Sequence, residues 1–265
     1  MANMRFMYNN LFDATATTVT ALTTNADFPL ANLKNIWKTK HHRTMDHDDQ
    51  WWKWDIGAAY GAIGLKAAIF LYHNFSATAT IGLYAHDTDL GDNPATWIAH
   101  GDTLKVPLVY GVDWNADLLC KYWPTLQVYR WWFLSVDDGA NGDGYLRLGR
   151  PFGGAYDTPT HDYRTYSETP IDPSTVVYSI GSQPNITERE SYRLFGFSID
   201  GLPDTERDTY LSIYRTYVKK SPFFICRDPA NSLTTTYYVE STKDWGFDRA
   251  GKNNNTLILE LKESI

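Results

Sequence analysis

The sequence predicts a mainly β protein built from two β-rich modules in tandem, with a proline-rich connection between them. Three observations predict this. The chain carries ten Trp, eighteen Tyr and twelve Phe among its 265 residues, and large aromatic side chains favour pleated, half-buried strands. Short apolar or alternating segments recur between Gly, Asn and Pro turn signals. A single segment, near residue 210, shows the apolar spacing of an amphipathic helix.

The first module consists of short strands separated by turn residues. The segment Thr78–Tyr84 alternates with period two, as a half-buried strand does, and Asp137–Gly144 is rich in the Asp, Asn and Gly of hairpin turns. The predicted strands are Lys53–Ile56, Ile63–Tyr72, Thr78–Tyr84, Tyr129–Val136 and Tyr145–Leu148. Many strands, few helices and long loops predict a jelly-roll-like β-sandwich.

The strongest break in composition runs from Pro151 to Pro173, with four prolines and two glycines. Proline is excluded from central strands and glycine releases the backbone, so this stretch predicts a linker. We therefore divide the chain into a first domain at 1–155, a linker at 156–173 and a second domain at 174–265.

The second module has the predicted order β-β-α-β-β-β. Its helix, Asp204–Lys220, begins with acidic residues at the positive end of the helix dipole and ends before Pro222. The predicted strands are Val176–Ile180, Ser191–Ile199, Phe223–Cys226, Thr235–Glu240 and Thr256–Leu261. This predicts a smaller β-sandwich with one flanking helix.

Charge and composition exclude several functions. A formal charge of −7 and a pI near 5.4 argue against a nucleic-acid-binding protein, which normally presents a basic face. No apolar run approaches the ~20 residues that cross a bilayer, and the start of the chain lacks the pattern of a secretory signal. The widely separated Cys120 and Cys226 are expected to be small core residues rather than a disulfide.

Several ordered phrases of the first module resemble discoidin-like, galactose-binding-type β-sandwiches. The resemblance covers roughly residues 10–155. It is carried by the segments Trp52–Gly57, Phe70–Asn74, Ala79–Ala85, Tyr129–Trp132 and Tyr145–Arg150. It implies a sandwich that holds carbohydrate or calcium in some relatives.

A second resemblance is to tail proteins of siphophages and prophages. It rests on the phrase Asn25–Asn35, which leads to Trp37, and on the outline of the second module, which is similar to the tail-tube fold of distal tail proteins. It implies a homo-oligomeric ring that contacts tube, tape-measure and hub proteins, assembled in the cytoplasm of a bacterial host and located in the virion tail. Tyr210, Tyr214 and Tyr217, on one face of the predicted helix, are the interface candidates, and some of them must instead belong to the core.

Three kinds of site were weighed against simpler interpretations. His41, His42 and His47 lie in a segment with three acids and could bind a metal ion, but their spacing fits no helical or strand pairing, and a polar loop is favoured. The acidic segment Asp137–Gly144 departs from the calcium-loop pattern, and a hairpin turn is favoured there. Asp87, Asp89 and Asp92 form another acidic loop, where the discoidin-like resemblance leaves a calcium site open without identifying its ligands. Trp97 and Trp114, in predicted loops, could stack on sugars, although packing is favoured for aromatic residues at this density.

Our leading hypothesis from the sequence is a non-enzymatic structural component of a phage tail, near the distal end, that needs no cofactor. The alternative is a carbohydrate-binding adhesin module that contacts host surface glycans. A glycan-degrading enzyme has the least support, because the sequence shows no nucleophile elbow, phosphate loop or zinc-protease motif.

Overall fold

The computed structural model describes residues 3–37, 39–57, 64–178 and 184–264. The protein is mainly β, as the sequence predicts, and every strand ladder among these residues is antiparallel. The chain forms two compact units, Asn9–Tyr156 and Met1–Tyr8 with Asp157–Ile265. We call them the sandwich unit and, after its one large sheet, the single-sheet unit. None of the described helices has both the length and the apolar character needed to span a membrane.

The first strand of the chain, β1 (Arg5–Met7), belongs to the single-sheet unit. The sandwich unit has ten strands and a short α-helix, α1 (Pro94–Ala99), among its described residues. The strands are β2 (Thr18–Ala21), β3 (His42–Arg43), β4 (Gln50–Asp55), β5 (Leu65–Leu71), β6 (Thr80–His86), β7 (Leu104–Leu108), β8 (Leu118–Gln127), β9 (Trp131–Asp137), β10 (Arg147–Leu148) and, completing one sheet, β11 (Arg150–Gly154).

Two sheets enclose the core of the sandwich unit. The five-stranded sheet has the order β2-β4-β9-β6-β7 and the three-stranded sheet the order β11-β5-β8, while β3 and β10 form a separate pair. Trp54 of β4 packs against Phe70 of β5, with ring centroids 5.7 Å apart, and stacks on Phe12 at 4.7 Å. Because all three rings are fully or almost fully buried, contacts between the two sheets hold this unit together.

The outer face of the five-stranded sheet carries a second, smaller cluster. Side chains alternate along β4, so Trp51 and Lys53 lie on the face opposite Trp52 and Trp54. Trp51 and Trp97 of α1 both stack on Phe133, at 5.4 and 5.0 Å. The Lys53 ammonium binds Asp89 and Asp92 at 3.0 and 2.6 Å, which holds the segment leading to α1 across this face.

The single-sheet unit contains β1, eight later strands and two helices among its described residues. The helices are α2 (Asp204–Ile213), which continues as a π-helical turn over Tyr214–Val218, and α3 (Ser232–Thr235). The strands are β12 (Tyr163–Ile171), β13 (Thr175–Tyr178), β14 (Pro184–Thr187), β15 (Tyr192–Leu202), β16 (Phe223–Cys226), β17 (Thr236–Ser241), β18 (Gly246–Gly251) and β19 (Asn254–Glu263).

Seven of these strands form one sheet with α2 on one face. The order is β1-β16-β17-β19-β15-β12, and β18 also pairs with β19. Tyr210 and Ile213 of α2 share a buried cluster with Phe197 and Leu259 of the sheet. Strand β1 also pairs with Asp157, the first residue after the sandwich unit. Phe6 and Asp157 exchange backbone hydrogen bonds of 2.8 and 2.9 Å.

The structure corrects the predicted division of the chain. The stretch predicted as a linker, 156–173, contains the nine-residue strand β12. Composition misled the prediction because β12 is an edge strand, and an edge strand tolerates Pro170 without the loss of a central ladder bond. The first eight residues, placed in the domain 1–155 by the sequence, cluster with the single-sheet unit.

The individual elements follow the predictions more closely. The predicted helix Asp204–Lys220 is confirmed, with its last described turn ending at Val218. The central strands of both modules lie within a few residues of their predicted positions, while Ile63 and Ile180, predicted strand ends, lie outside the described residues. Cys120 and Cys226 are both buried, in different units, as predicted for core residues.

Candidate functional site

The two tryptophans considered as possible sugar contacts are buried. Trp97 and Trp114 are both 0% exposed, so neither presents a ring face to a ligand; their burial agrees with the packing favoured from the sequence and not with the sugar-contact alternative. Trp97 is a core residue of the outer cluster, and its indole N–H donates to the Gly91 carbonyl at 2.9 Å. Trp114 packs edge-on against His73 and Tyr110. Position in a connecting segment did not imply exposure here.

His41 and His42 are also held inside the sandwich unit rather than arranged as metal ligands. His42 is 0% exposed; its Nδ1 accepts from the Trp52 indole N–H at 3.0 Å and its Nε2 contacts the Thr24 hydroxyl at 3.2 Å. Burial lowers the pKa of His42 to about 4. His41 stacks on Phe28 at 4.9 Å. Both rings are therefore engaged in packing and hydrogen bonding rather than arranged for the metal alternative, and their burial also differs from the polar loop favoured from the sequence.

His47, the third metal candidate, lies with two acids at the surface. One ligand atom each from Asp46, His47 and Asp48 falls within 4.8 Å of the others, and the His47 Nδ1 lies 2.8 Å from an Asp48 oxygen. The two carboxylates are exposed. Exposed acidic groups of this kind are common without an ion, and no metal site is assigned to them.

The acidic segments considered for calcium have structural partners. Asp138 is 2% exposed and accepts hydrogen bonds from the Ser76 backbone N–H and the Asn141 amide, at 2.8 and 3.1 Å. Asp89 and Asp92 bind Lys53. These carboxylates stabilise loops of the sandwich unit.

The three tyrosines predicted to form an interface divide between core and surface. Tyr210 and Tyr214 are 2% and 6% exposed, whereas Tyr217 is 37% exposed and packs beside Tyr8, with ring centroids 5.0 Å apart. The prediction is therefore wrong for Tyr210 and Tyr214, because their face of the helix covers the sheet. Tyr217 alone of the three remains available at the surface.

A different set of residues forms a partly exposed cluster in the sandwich unit. Strands β3 and β10 pair so that Arg43 lies directly opposite Arg147. The Arg43 guanidinium lies 3.7 Å from the centre of the Phe28 ring and 4.6 Å from that of Tyr145. The Arg147 guanidinium lies 4.2 Å from the centre of the Tyr72 ring. We call Arg43, Arg147, Phe28, Tyr72 and Tyr145 the arginine–aromatic cluster; all five are partly exposed.

Backbone and side-chain hydrogen bonds hold this cluster in place. Asn74 accepts from the Arg147 backbone N–H at 2.7 Å and donates to the Tyr145 carbonyl at 3.0 Å. The Arg43 Nε donates to the His41 Nε2 at 2.9 Å. Tyr72 has φ of +61°, a left-handed conformation that side chains other than glycine adopt rarely and at a cost of about 1 kcal/mol. Contacts within the chain thus hold the side chains of the cluster in place.

The two charged side chains of the cluster are both positive. Neither Arg43 nor Arg147 forms an ion pair with a carboxylate of the described residues, in contrast to Arg130, which binds Asp55 at 2.7 Å, and to Arg150, which binds Asp13. Burial, with a further contribution from the charges of Arg43 and Arg147, lowers the pKa of His41. A neutral His41 leaves the two guanidinium groups as the charge of the cluster.

One exposed aromatic residue lies on the segment that leads into the cluster. Trp37 is 49% exposed, and of the ten tryptophans it is the most exposed. The chain runs from Trp37 through Thr39, whose carbonyl contacts the His41 Nδ1 at 2.9 Å, to Arg43. The exposed Trp37 therefore lies six positions before Arg43 in the sequence.

Comparison with solved structures gives similarity to carbohydrate-binding β-sandwich modules. One similar structure is titled "CpGH89CBM32-6 produced by Clostridium perfringens", with 9% identity, a TM-score of 0.39, and coverage of 55% of this chain and 98% of that chain. Two are lectin domains of lectinolysin, one complexed with Lewis B antigen and one a His 62 mutant complexed with Lewis b. Both have 13% identity, a TM-score of 0.37 and 56% coverage of this chain, and their own coverage is 96% and 98%.

No protein-family model matches the sequence, and no curated protein matches it. At the identities and TM-scores of the similar structures, the likeness does not identify a ligand for this chain.

Proposed function

We propose that the sandwich unit binds carbohydrate through the arginine–aromatic cluster. The observation that supports this is the placement of two guanidinium groups, Arg43 and Arg147, against the rings of Phe28, Tyr72 and Tyr145 in one partly exposed patch. The patch offers flat apolar surface and fixed hydrogen-bond donors side by side.

This combination suits the chemistry of a sugar. A pyranose has a face of C–H groups and a rim of hydroxyl groups, so it needs an apolar surface next to polar atoms. The rings of Tyr72 and Tyr145 supply the surface, and the guanidinium groups donate to hydroxyl oxygens. Because hydrogen bonds from Arg147 to Asn74 and from Arg43 to His41 already hold the arginine strands, little ordering entropy is lost on binding.

The proposal is for binding without catalysis. Glycoside hydrolysis requires two carboxyl groups on either side of the scissile bond. The cluster instead brings together cations and aromatic rings, and the nearby acid Asp143 accepts a hydrogen bond from Asn74 at 2.8 Å. Retention of an intact oligosaccharide after long incubation, measured by mass spectrometry, is the expected result.

A glycan array followed by calorimetry on the best ligand tests the proposal. Tyr145→Ala removes one ring that contacts Arg43 and should weaken binding about five- to thirtyfold, since aromatic contacts contribute about 1–2 kcal/mol where a ligand covers them. Tyr110→Ala is the matched control, because Tyr110 is 47% exposed and contacts Trp114 outside the cluster. It should leave the affinity unchanged within about twofold.

Two results would contradict this assignment. One is the absence of any bound glycan on the array with correctly folded protein. The other is an equal loss of affinity in Tyr110→Ala and Tyr145→Ala, which would mean that the glycan contacts a different surface.

A second candidate function, a structural role in a phage tail, is favoured by one feature of the single-sheet unit. Strand β12 ends the sheet order, most of its residues are exposed, and an edge strand offers unpaired backbone groups to another chain. Beside it, an open groove of about 490 Å³ is lined by both polar and apolar residues, among them Thr165, Ser167 and Leu194. Edge pairing between copies would build the homo-oligomeric ring that the sequence resemblance implies.

Mass photometry of the purified chain tests the second candidate. A closed oligomer that dissociates when a charged residue is placed on β12, as in Thr165→Lys, would support it. A monomer at all concentrations, with no copy of the chain in cryo-EM maps of tail particles, would remove both the ring and the assignment to the virion tail.

A further inference from the structure

Two like charges face each other in the arginine–aromatic cluster. Arg43 and Arg147 are directly opposite residues of the antiparallel pair β3–β10, and directly opposite residues project from the same face with Cβ atoms about 5 Å apart. Like charges in this arrangement destabilise the pair. The fold therefore retains a repulsion that a single neutral substitution would remove.

The surroundings of the two arginines do not neutralise this charge. The Nε of Arg147 is buried and has no hydrogen-bond partner among the described residues. Aromatic rings cover part of both guanidinium groups, and they displace water that would otherwise screen the charges. A buried donor without a partner costs about 1–3 kcal/mol, so the cluster is incomplete as it stands.

The sandwich unit neutralises its other arginines. Its four arginines are at positions 43, 130, 147 and 150, and Arg130 and Arg150 bind Asp55 and Asp13. Arg130 makes a close comparison, because it also lies over an aromatic ring, that of Trp131, at 5.2 Å. The same residue type in a similar setting has a carboxylate in one place and none in the other.

We infer that the glycan bound by this cluster is anionic, with a carboxylate or a sulfate ester placed between Arg43 and Arg147. This rests on the proposed carbohydrate-binding function and names the class of ligand. A planar guanidinium offers parallel N–H donors that match two oxygens of such a group, and charge-assisted hydrogen bonds of this kind are short and strong. The anion would offset the repulsion between the two arginines, while Tyr72 and Tyr145 contact the sugar ring.

The test compares matched glycans by calorimetry. A uronic-acid oligosaccharide is compared with its carboxyl-reduced form, and a sulfated oligosaccharide with its desulfated form. The wild-type protein should bind at least one acidic member about tenfold more tightly than its neutral counterpart, with affinity that falls as salt rises. The pair that shows the difference identifies the acidic group.

Arginine variants locate the effect. Arg147→Gln and Arg43→Gln should each lower the affinity for the acidic glycan about tenfold or more and that for the neutral form less than about threefold. Arg130→Gln, with a similar change of charge outside the cluster, should leave both affinities within about twofold. Circular dichroism and thermal melting of each variant show that the fold is retained.

The outcomes separate this inference from the function on which it rests. Equal affinity for acidic and neutral glycans would overturn the anionic assignment and leave carbohydrate binding in place. Absence of binding to every glycan would overturn both. An equal loss of affinity in Arg130→Gln would show a general effect of protein charge, and tight binding of free acetate or sulfate alone would show an anion site without a sugar; either result would overturn the inference.

Discussion

The two units are both antiparallel and aromatic, yet they bury different ionisable side chains. Six of the seven histidines lie in the sandwich unit, where burial lowers the pKa of His42 to about 4 and that of His73 to about 3. In the single-sheet unit, burial raises the pKa of Tyr8 and Tyr210. A buried side chain that stays neutral in the folded unit but ionises in the unfolded chain lowers the free energy of unfolding at the pH where the unfolded chain ionises. For His this is below the ordinary pKa, and for Tyr it is above it. The sandwich unit is therefore expected to be sensitive to acid and the other unit to alkali.

The two units also differ in how some of their arginines pair with carboxylates. In the single-sheet unit, Arg193 is held by both oxygens of Glu263, at 2.9 and 2.7 Å, and Arg164 by Asp200 at 2.9 Å. The sandwich unit leaves Arg43 and Arg147 without an acid among the described residues. Arg227 of the single-sheet unit also lies over an aromatic ring, that of Tyr166, without an ion pair among the described residues. What singles out Arg43 and Arg147 for a ligand is that two such arginines lie directly opposite each other on paired strands.

The largest effect is expected from the sandwich core. Trp52 is 0% exposed, and Trp52→Ala should reduce the free energy of unfolding of this unit by about 3–5 kcal/mol through lost burial and the cavity left behind. The matched control is Trp37→Ala, because Trp37 is 49% exposed; it should cost less than about 0.5 kcal/mol. Urea unfolding followed by circular dichroism measures both. A similar cost for the two variants would contradict the assignment of Trp52 to the core.

Acid should destabilise the sandwich unit first. In the unfolded chain His42 takes up a proton near its ordinary pKa of 6.5, whereas in the folded unit it does so near 4. Its contribution to stability is complete above pH 6.5 and is lost as the pH falls towards 4, a loss on the order of 3 kcal/mol. Nine of the ten tryptophans lie in this unit, so unfolding is followed by fluorescence in a Trp245→Phe background.

His42→Gln provides the control for the acid prediction. This variant is less stable at neutral pH, because the Trp52 indole loses its acceptor, but its stability should depend less on pH between 6.5 and 4. An unchanged pH dependence would show that other groups are responsible.

Alkali should act on the single-sheet unit. Burial, followed by the charges of Glu206 and Asp157, raises the pKa of Tyr210. The unfolded chain loses this proton near pH 10 and the folded unit does not, so stability falls as the pH rises above 10, by up to about 1.4 kcal/mol per pH unit. Tyr210→Phe keeps the buried ring and should reduce this slope in urea unfolding at pH 9 and 11. Unfolding of the sandwich unit at a lower urea concentration than the single-sheet unit at pH 11 would contradict this prediction.

The sequence predicted the central strands because their aromatic residues alternate between two buried faces. The predicted strand Lys53–Ile56 overlaps β4, but β4 begins at Gln50 and also contains Trp51 and Trp52, since both faces of the strand are covered. Strand β8 was missed because Pro124 and Lys121 interrupt its apolar character. Strand β12 was missed because local composition cannot distinguish an edge strand that carries Pro170 from a linker.

The candidate site could not be predicted in the same way. Arg43 and Arg147 are separated by more than a hundred residues, and only the register of β3 and β10 brings them together. Periodicity reports which face of a strand is buried, but it contains no information on which distant strand pairs with it. The exposed Trp37 was present in the sequence resemblance, but nothing local distinguished it from the buried Trp97 and Trp114.

The smallest effect comes from a comparison of two arginines. Arg193→Gln leaves Glu263 without its bidentate partner and should cost about 1 kcal/mol, a modest value because water reaches more than a third of the Arg193 side chain and screens the pair. Arg147→Gln leaves no acid behind. It removes the contact with Tyr72, worth about 0.5 kcal/mol, but it also removes the repulsion from Arg43 and the buried Nε that has no partner among the described residues, so ligand-free stability should fall by less than about 0.5 kcal/mol or should rise. Urea unfolding compares the two variants. If Arg147→Gln costs as much as Arg193→Gln, Arg147 has a structural role, which would contradict its assignment to ligand binding.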